Sequence, residues 1–543
     1  MLAPLLNSSR PATGITSLSE RAPDLDRRDY ARRMAWIALL LVAVGLAARI
    51  LRQCLNFPIW GDEAAVGLNV ISRDYAGLTR QLDLAQVAPI LFLWVERFVF
   101  ETLGGSEWAL RLLPWLAGIG GLLLFWDIAR RLVPPTAATL AVGMLAAARW
   151  PITLATSLKP YSGDLFWSAL ILALAVRWYQ RPGRLTPLVG LVLAVPFALA
   201  GSYPTVFVAG AISLYLLPVA WRGGVRARVL FGLYNLFMMG TFVGCFLLVG
   251  QAQIDPEVGN TGDVMLDYWK GGFPPDSPLG VPLWLFQVHT GRMFAYPIGD
   301  ANGGSLLTFL LFLLGAWQCR RPGTRSLLVL CLTPLALNLI AAILQKYPYG
   351  GCCRLSQNLA PAICLLAGLG WAAVLERLAP RLRDRCRWVW AGAAILIVFT
   401  LAGMMSDCAF PYRDVVCQWS RSLTQELDRH LAPGDVIVVA PGAEMDATTV
   451  WYLRRFGDRV VWEKPVSSTE VSGRVWVLTF SRSRPATERQ DEFVRSLAGW
   501  RAVSRQWYNL RPDRDLHVWH FCGVTCLTRP DDLRDPPQLA ASP

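Results

Sequence analysis

Eleven apolar runs of roughly 17–22 residues recur along this chain, near 34–54, 108–129, 135–153, 162–178, 185–201, 203–221, 229–250, 304–319, 326–345, 356–376 and 388–406. Each is long enough to cross the hydrocarbon layer of a bilayer with modest tilt. The composition agrees: of 543 residues 54% are hydrophobic and 17% charged, with a mean hydropathy of +0.37, more apolar than soluble proteins usually are. The expected fold is therefore an α-helical polytopic membrane protein of about eleven spans. A net charge of +13 would suggest nucleic acid in a soluble domain. Here Lys and Arg gather in short clusters between the apolar runs, a pattern that sets membrane orientation, so no nucleic-acid partner is expected.

The clusters alternate. Arg27, Arg28, Arg32 and Arg33 precede the first run, and Arg130–Arg131, 177–184, 222–228, 320–325 and 377–387 all fall on the same side if the runs span as counted. That side is expected to be the cytoplasm, with 1–33 as a cytoplasmic tail. No apolar stretch of secretory type occurs within the first 30 residues, so the first span is expected to stay. The opposite side then receives the loop 55–107, the Lys159-Pro160-Tyr161 corner, the Pro/Gly-rich loop 251–303, the turn 346–351 with Arg354, and everything after the last span. Within the first loop, 62–78 and 88–103 read as helices too short or too polar to span, lying along the interface. The expected domains are a tail 1–33, a membrane domain 34–407 and an extracytoplasmic α/β domain 408–543. The last has strands at 435–439 and 474–478 and helices at 446–456 and 487–497. It carries no GxGxxG, P-loop or GxSxG pattern, so a supporting or acceptor-recognition role is expected. The pairs Cys408/Cys417 and Cys522/Cys526 could bridge in an oxidising compartment or stay free.

Polar residues at the water-facing edges of spans are costly and therefore informative. Trp60-Gly61-Asp62-Glu63 follows the first run directly. Neighbouring carboxylates on a helix point about 100° apart, so one of Asp62 and Glu63 can face a cavity while the other turns elsewhere. Asp62 can equally be the N-cap of a helix starting at Glu63. Lys159 stands at a span edge on the same side, followed by Tyr161 and, one turn deeper, Asp164. The ammonium suits a lipid phosphate, with snorkelling as the plainer use, and Asp164 would orient Lys159 or Tyr161 or cap the helix. Arg354 is a second phosphate clamp by guanidinium geometry, and Gln86 a donor or acceptor for a sugar hydroxyl. No CxxC pair occurs, the strand-spaced His517 and His520 leave a metal site open, no cofactor is called for by these residues, and assistance by a divalent metal stays open.

Several of these features stand together in one known family. Trp60-Gly61-Asp62-Glu63-Ala64, Gln86 to Pro89 at a His-Pro-Pro-Leu-like position, Ser106-Glu107-Trp108-Ala109-Leu110-Arg111, and Leu158-Lys159-Pro160-Tyr161 with Asp164 resemble bacterial members of the protein mannosyltransferase and lipid A aminoarabinose transferase superfamily, family 39-like enzymes of GT-C fold. The resemblance spans about 34–410 and is sharpest over 57–180. It implies a glycosyltransferase of the bacterial inner membrane that moves a sugar, with inversion, from a polyprenyl-phosphate donor to an extracytoplasmic lipid, glycan or protein acceptor. Asp62 matches the family's acidic residue and would be the general base; Lys159 matches its donor-phosphate ligand. Glu63, Gln86, Tyr161, Asp164 and Arg354 are expected to bind substrate. Gln86 and Ala88 depart from the His and Pro of protein mannosyltransferases, which puts protein acceptors in doubt. The rival expectation is a lipid or sugar transporter, or a flippase, using Asp62, Lys159 and Asp164 as a path.

Overall fold

Hydrocarbon offers backbone N–H and C=O groups no partner, so apolar runs of this length have to satisfy them internally as helices. In the computed structural model, which describes residues 24–530 apart from 258, 322, 442–445, 468–470, 482–490, 498 and 511–519, each of the eleven runs lies on a helix. In chain order these are α1 (Asp24–Leu55), α2 (Gly61–Ser72) and α3 (Ile90–Leu103) around the first loop, then α4 (Leu112–Leu132), α5 (Pro135–Ala146), α6 (Tyr161–Gln180), α7 (Thr186–Gly201), α8 (Thr205–Arg222) and α9 (Val225–Cys245). After the loop 251–303 come α10 (Leu306–Gln318), α11 (Arg325–Ile343), α12 (Ala360–Leu378) and α13 (Leu382–Ala409). Among the described residues seven helical stretches are long and apolar enough to cross a bilayer, and α5, α7 and α10 are shorter apolar helices. On the stretch Val225–Gln253, Leu236, Phe237, Met239, Phe242, Leu247 and Leu248 all point outward, an arrangement that suits lipid and not water. The chain is a multi-pass membrane protein.

Two expected elements differ from their sequence reading. The run 135–153 is not one helix: α5 stops at Ala146, Ala148 is extended, and a short turn resumes at Arg149–Leu154. Pro151 lacks the N–H that a continuous helix would donate to the Ala147 carbonyl, and in the resumed turn it stands among the first residues, whose N–H groups have no intrahelical acceptor. The helix expected over 62–78 ends at Ser72, where Asp74 accepts from the Gly77 N–H at 2.6 Å and turns the chain. Helix α3 begins at Ile90 behind Pro89, close to expectation.

The helices pack through small residues, as apolar side chains gain little from one another in lipid. Gly315 of α10 lies against the Leu366 carbonyl of α12, and Gly370 of α12 against the Leu311 carbonyl, so a methyl at either position would collide with backbone. At the other kind of contact, Asp127 of α4 receives Arg130, Arg131 at 2.9 Å and, from α6, Arg177 at 2.9 Å. Three cations surround this carboxylate and bind α4 to α6.

The chain divides into two compact units. One takes the sequence up to Leu55 together with Val70–Ser406; the other takes Asn56–Asn69 and the sequence from Asp407 onward. In the second unit, α14 (Val415–His430) has its apolar residues Val416, Trp419, Leu423 and Leu427 at spacings of three and four, and its N-terminus is capped by Asp414, which accepts from the Cys417 N–H at 2.7 Å. Then follow β1 (Val436–Val439), α15 (Ala447–Leu453), β2 (Val460–Trp462), β3 (Val475–Ser481), β4 (Arg501–Leu510) and β5 (His520–Thr528). The sheet order is β2-β1-β3-β5-β4, with β1 parallel to β2 and β3, and the last three strands antiparallel. Successive residues alternate between faces: Ile437, Val439, Trp476 and Leu478 join the core with α14, and Val438, Val475 and Val477 the core on the opposite face. The expected helix 487–497 falls partly outside the described residues; 491–496 are helical. All twelve cysteines are free thiols.

One buried ion pair fixes the edge of β1. Asp435 accepts from the Arg474 guanidinium at 2.9 Å and from the N–H groups of Ala432 at 3.0 Å and Arg474 at 2.8 Å. Burial alone would raise this carboxyl, but those N–H groups and the guanidinium more than offset it and hold it below its ordinary 3.8. Its contribution to folding is therefore complete above the unfolded value of about 3.9 and fades as pH falls through the lower folded value. Asp435→Asn should destabilise the second unit by about 3 kcal/mol at pH 7. Thermal unfolding of the detergent-purified chain, followed from pH 7 down to pH 3, should show the gap between variant and parent closing at the acid end.

Candidate active-site residues

Lys159 sits at the corner between the turn Arg149–Leu154 and α6, held by Pro160 ahead of the first helical residue. It is 5% exposed, and its Nζ donates to Oε1 of Gln86 at 2.6 Å. Gln86 is itself buried at 8% exposure, and its Nε2 donates to the Leu84 carbonyl at 3.0 Å. The amide is thus oriented by both ends, oxygen to the cation and nitrogen to the backbone. Reaching this pose takes a bend in which Leu84 and Ala85 have φ of 60° and 50°. Side chains rarely adopt that region, and each such residue costs on the order of 1 kcal/mol or more.

The residue beside this bend is pinned from another helix. The Ala88 N–H donates to Gln253 Oε1 at 3.2 Å, and its carbonyl accepts from Gln253 Nε2 and from the Tyr203 hydroxyl, both at 3.0 Å. Gln253 is fully buried and follows a π-helical turn at Phe246–Gly250, an irregularity frequent near functional sites. Neither Gln253 nor Tyr203 was singled out by sequence. The available signals were the amides of Gln251-Ala252-Gln253 closing an apolar run and the near-absence of loop at Gly201-Ser202-Tyr203-Pro204.

Asp164 lies in the first turn of α6, and its Oδ1 accepts from the Ser202 hydroxyl at 2.6 Å. A chain of hydroxyls continues from Thr205 to Ser202 at 2.7 Å and between Thr205 and Ser168 at 3.0 Å. Tyr347 lies within electrostatic reach of both Asp164 and Tyr161, and its hydroxyl donates to the Leu355 carbonyl at 3.1 Å. The turn after α11 is thereby brought to the start of α6. In that turn Arg354, 8% exposed, places its guanidinium 4.9 Å from the Trp269 ring centroid and 3.4 Å from the Tyr268 hydroxyl. Gln86, Lys159, Tyr161, Asp164 and Arg354 therefore share one unit, with Gln86 and Lys159 in direct contact.

Asp62 and Glu63 belong to the other unit. The Trp60 carbonyl accepts from the N–H groups of Glu63 and Ala64, both at 2.9 Å, so the helix starts at Gly61 and Asp62 stands inside its first turn instead of capping it. Both carboxylates occupy the end of the helix that favours negative charge. They separate as their 100° offset requires: Glu63 is 1% exposed, whereas Asp62 is half-buried. Of the two, Asp62 is the more exposed. Among the described residues no group of three or more His, Cys, Asp or Glu is placed to hold a metal ion.

Residues 87–243 match the model of a family described as dolichyl-phosphate-mannose-protein mannosyltransferase. The fold is similar to that of ArnT from Cupriavidus metallidurans bound to undecaprenyl phosphate, with a TM-score of 0.52 at 16% identity over 90% of this chain and 98% of that one. The apo state of the same protein gives 0.51 over the same shares. The oligosaccharyltransferase AglB from Archaeoglobus fulgidus, in complex with an inhibitory peptide and a dolichol-phosphate, aligns at a TM-score of 0.45 and 11% identity over 81% of this chain and 69% of that one. No curated protein sequence matches.

The Gln86–Lys159 contact predicts an asymmetric response to substitution. Gln86→Leu removes an acceptor from a buried ammonium and should cost about 1–3 kcal/mol. Gln86→Glu supplies a carboxylate in the same place and should unfold at or above the parent temperature, both measured by thermal denaturation of the purified chain in detergent.

Proposed function

We propose that this chain, a multi-pass membrane protein with the GT-C glycosyltransferase fold, transfers a sugar from a polyprenyl-phosphate donor to an acceptor hydroxyl, with inversion at the anomeric carbon. The observation that carries the reading is Lys159: a cation buried against a backbone-anchored amide, inside the stretch matched by the mannosyltransferase model. A buried ammonium is a strong partner for an anionic oxygen, and the phosphate of a lipid-linked sugar presents such oxygens. The similarity in fold to a protein that holds undecaprenyl phosphate supports the same class of donor.

In this reading Lys159 and Arg354 bind the donor phosphate and stabilise the charge that grows on its bridging oxygen. Arg354 is suited to it because its guanidinium is held over the Trp269 ring and can meet a phosphate with two N–H groups. Tyr161 and Asp164 order the start of α6, and Gln86 holds Lys159. Asp62 accepts the proton of the acceptor hydroxyl as its oxygen attacks the anomeric carbon from the face opposite the phosphate. The new C–O bond forms as the sugar–phosphate C–O bond breaks, its electrons pass to the phosphate, and polyprenyl phosphate leaves. A single displacement needs one base and no carboxylate nucleophile. Glu63, nearly inaccessible beside Asp62, is proposed to shape the local field. The membrane is proposed to be the bacterial cytoplasmic one, with the N-terminus inside and the sugar transferred outside. The transporter reading is disfavoured by Asp127, the carboxylate within α4, which three arginines neutralise and so withdraw from any proton path.

With purified full-length chain and a polyprenyl-phosphate-linked sugar, Asp62→Asn should lower kcat by about 10²–10⁴-fold with little change in donor KM. Lys159→Ala should raise donor KM and lower kcat together, as expected for a phosphate ligand that also stabilises the leaving group. Unimpaired transfer by a folded Asp62→Asn protein would remove Asp62 from the mechanism. Mass spectrometry of envelope glycans from a strain lacking the protein would identify the sugar and its acceptor.

A further inference from the structure

The segment that carries Asp62 is built into the fold of the C-terminal helices by four contacts, all within one unit. The N–H of Ile59, a fully buried residue, donates to the Tyr452 hydroxyl at 3.0 Å. The Asn56 carbonyl accepts from the Arg421 guanidinium at 2.8 Å. Asn56 has a φ of 45°, in the left-handed region that Asn tolerates better than most residues. The Arg413 guanidinium lies over Trp60 at 3.4 Å from the ring centroid. A Cβ added to Gly61 would stand 2.7 Å from Oδ1 of Asp446, so the backbone reaches this carboxylate only because residue 61 has no side chain.

These partners share a rigid support. Arg421 is on α14 and Tyr452 on α15, with Arg413 two residues ahead of the first helix and Asp446 directly ahead of the second. The two helices are joined by the Ser420–Thr449 hydroxyl contact at 2.9 Å, and Val416, Trp419, Leu423 and Leu453 seat them in the core with Trp476 and Phe480 of the sheet. Asp446 comes after the carboxyl end of β1, the end of a parallel sheet at which ligands ordinarily gather. In this chain that position meets its own Gly61.

We propose that the C-terminal α/β fold is a positioning platform for the base: Tyr452, Arg421, Arg413 and Asp446 are positioning residues that fix 56–61 and so set where the Asp62 carboxylate projects. This rests on Asp62 acting as the base. With residues 56, 59, 60 and 61 each held, the backbone entering Asp62 keeps little freedom, and an error of about 1 Å in such a group costs about 10²-fold in rate.

The test combines steady-state kinetics with hydrogen–deuterium exchange over 56–69, both on the full-length chain. Tyr452→Phe and Arg413→Ala should speed exchange at 57–61 and lower kcat by about tenfold or more, with donor KM within twofold and the unfolding temperature unchanged. Arg413→Lys should restore part of the loss. Gly61→Ala should be slow, and Asp446→Ala, by removing the colliding oxygen, should make the double variant faster than Gly61→Ala alone. Unchanged exchange in Tyr452→Phe and Arg413→Ala overturns the platform, as does simple multiplication of the Gly61 and Asp446 effects. Faster exchange with undiminished kcat also overturns it. In that case an inactive Asp62→Asn locates the fault in the positioning, and an active one locates it in the assignment of the base.

Discussion

A polar group in hydrocarbon must find its partner inside the protein, and this single requirement organises the helical unit. It turns the apolar runs into helices, and it draws several carboxylates, amides and cations among them into specific contacts. Asp127 is matched by three arginines, Asp164 by Ser202, Lys159 by Gln86, and the Ala88 backbone by Gln253 and Tyr203. Where the membrane removes water as an alternative partner, each of these contacts records which parts of the chain must be held together.

The distribution of those contacts separates two roles. Around Asp127 the partners are three guanidiniums, which occupy both carboxylate oxygens and join α4 to α6. At Lys159 one partner is an amide anchored to backbone, which orients the ammonium at the start of α6. The strained backbone at Leu84 and Ala85 is what places that amide. Strain of this kind persists only where the surrounding structure enforces it, here through the grip of Gln253 and Tyr203 on Ala88.

The second unit uses the same logic with water present on some of its surface. Its sheet is ordinary in register and core, but α14, α15 and the residues just before them spend several polar and aromatic side chains on a segment more than 350 residues away in sequence. Such long-range contacts have no counterpart in local propensity. They explain why a domain without any nucleotide or nucleophile motif is nonetheless tied to the acidic loop.

The sequence by itself determined the membrane class, the mainly helical identity of the apolar runs, the helix behind Pro89, and the strands around Val438 and Val477, because hydrophobic length and periodicity are local properties that burial enforces directly. It also marked Asp62, Lys159, Asp164, Gln86 and Arg354 as polar residues in costly places. It did not show that Gln86 is a buried partner of Lys159 instead of a solvated amide, that α5 breaks ahead of Pro151, or that Gln253, Tyr203 and Tyr452 matter. It could not assign the loop 56–69 to the unit formed by the C-terminal sequence. Those outcomes depend on which distant groups meet, and a hydrogen bond between residues far apart is decided by the packing of the whole fold, for which no short stretch of amino acids carries a signal.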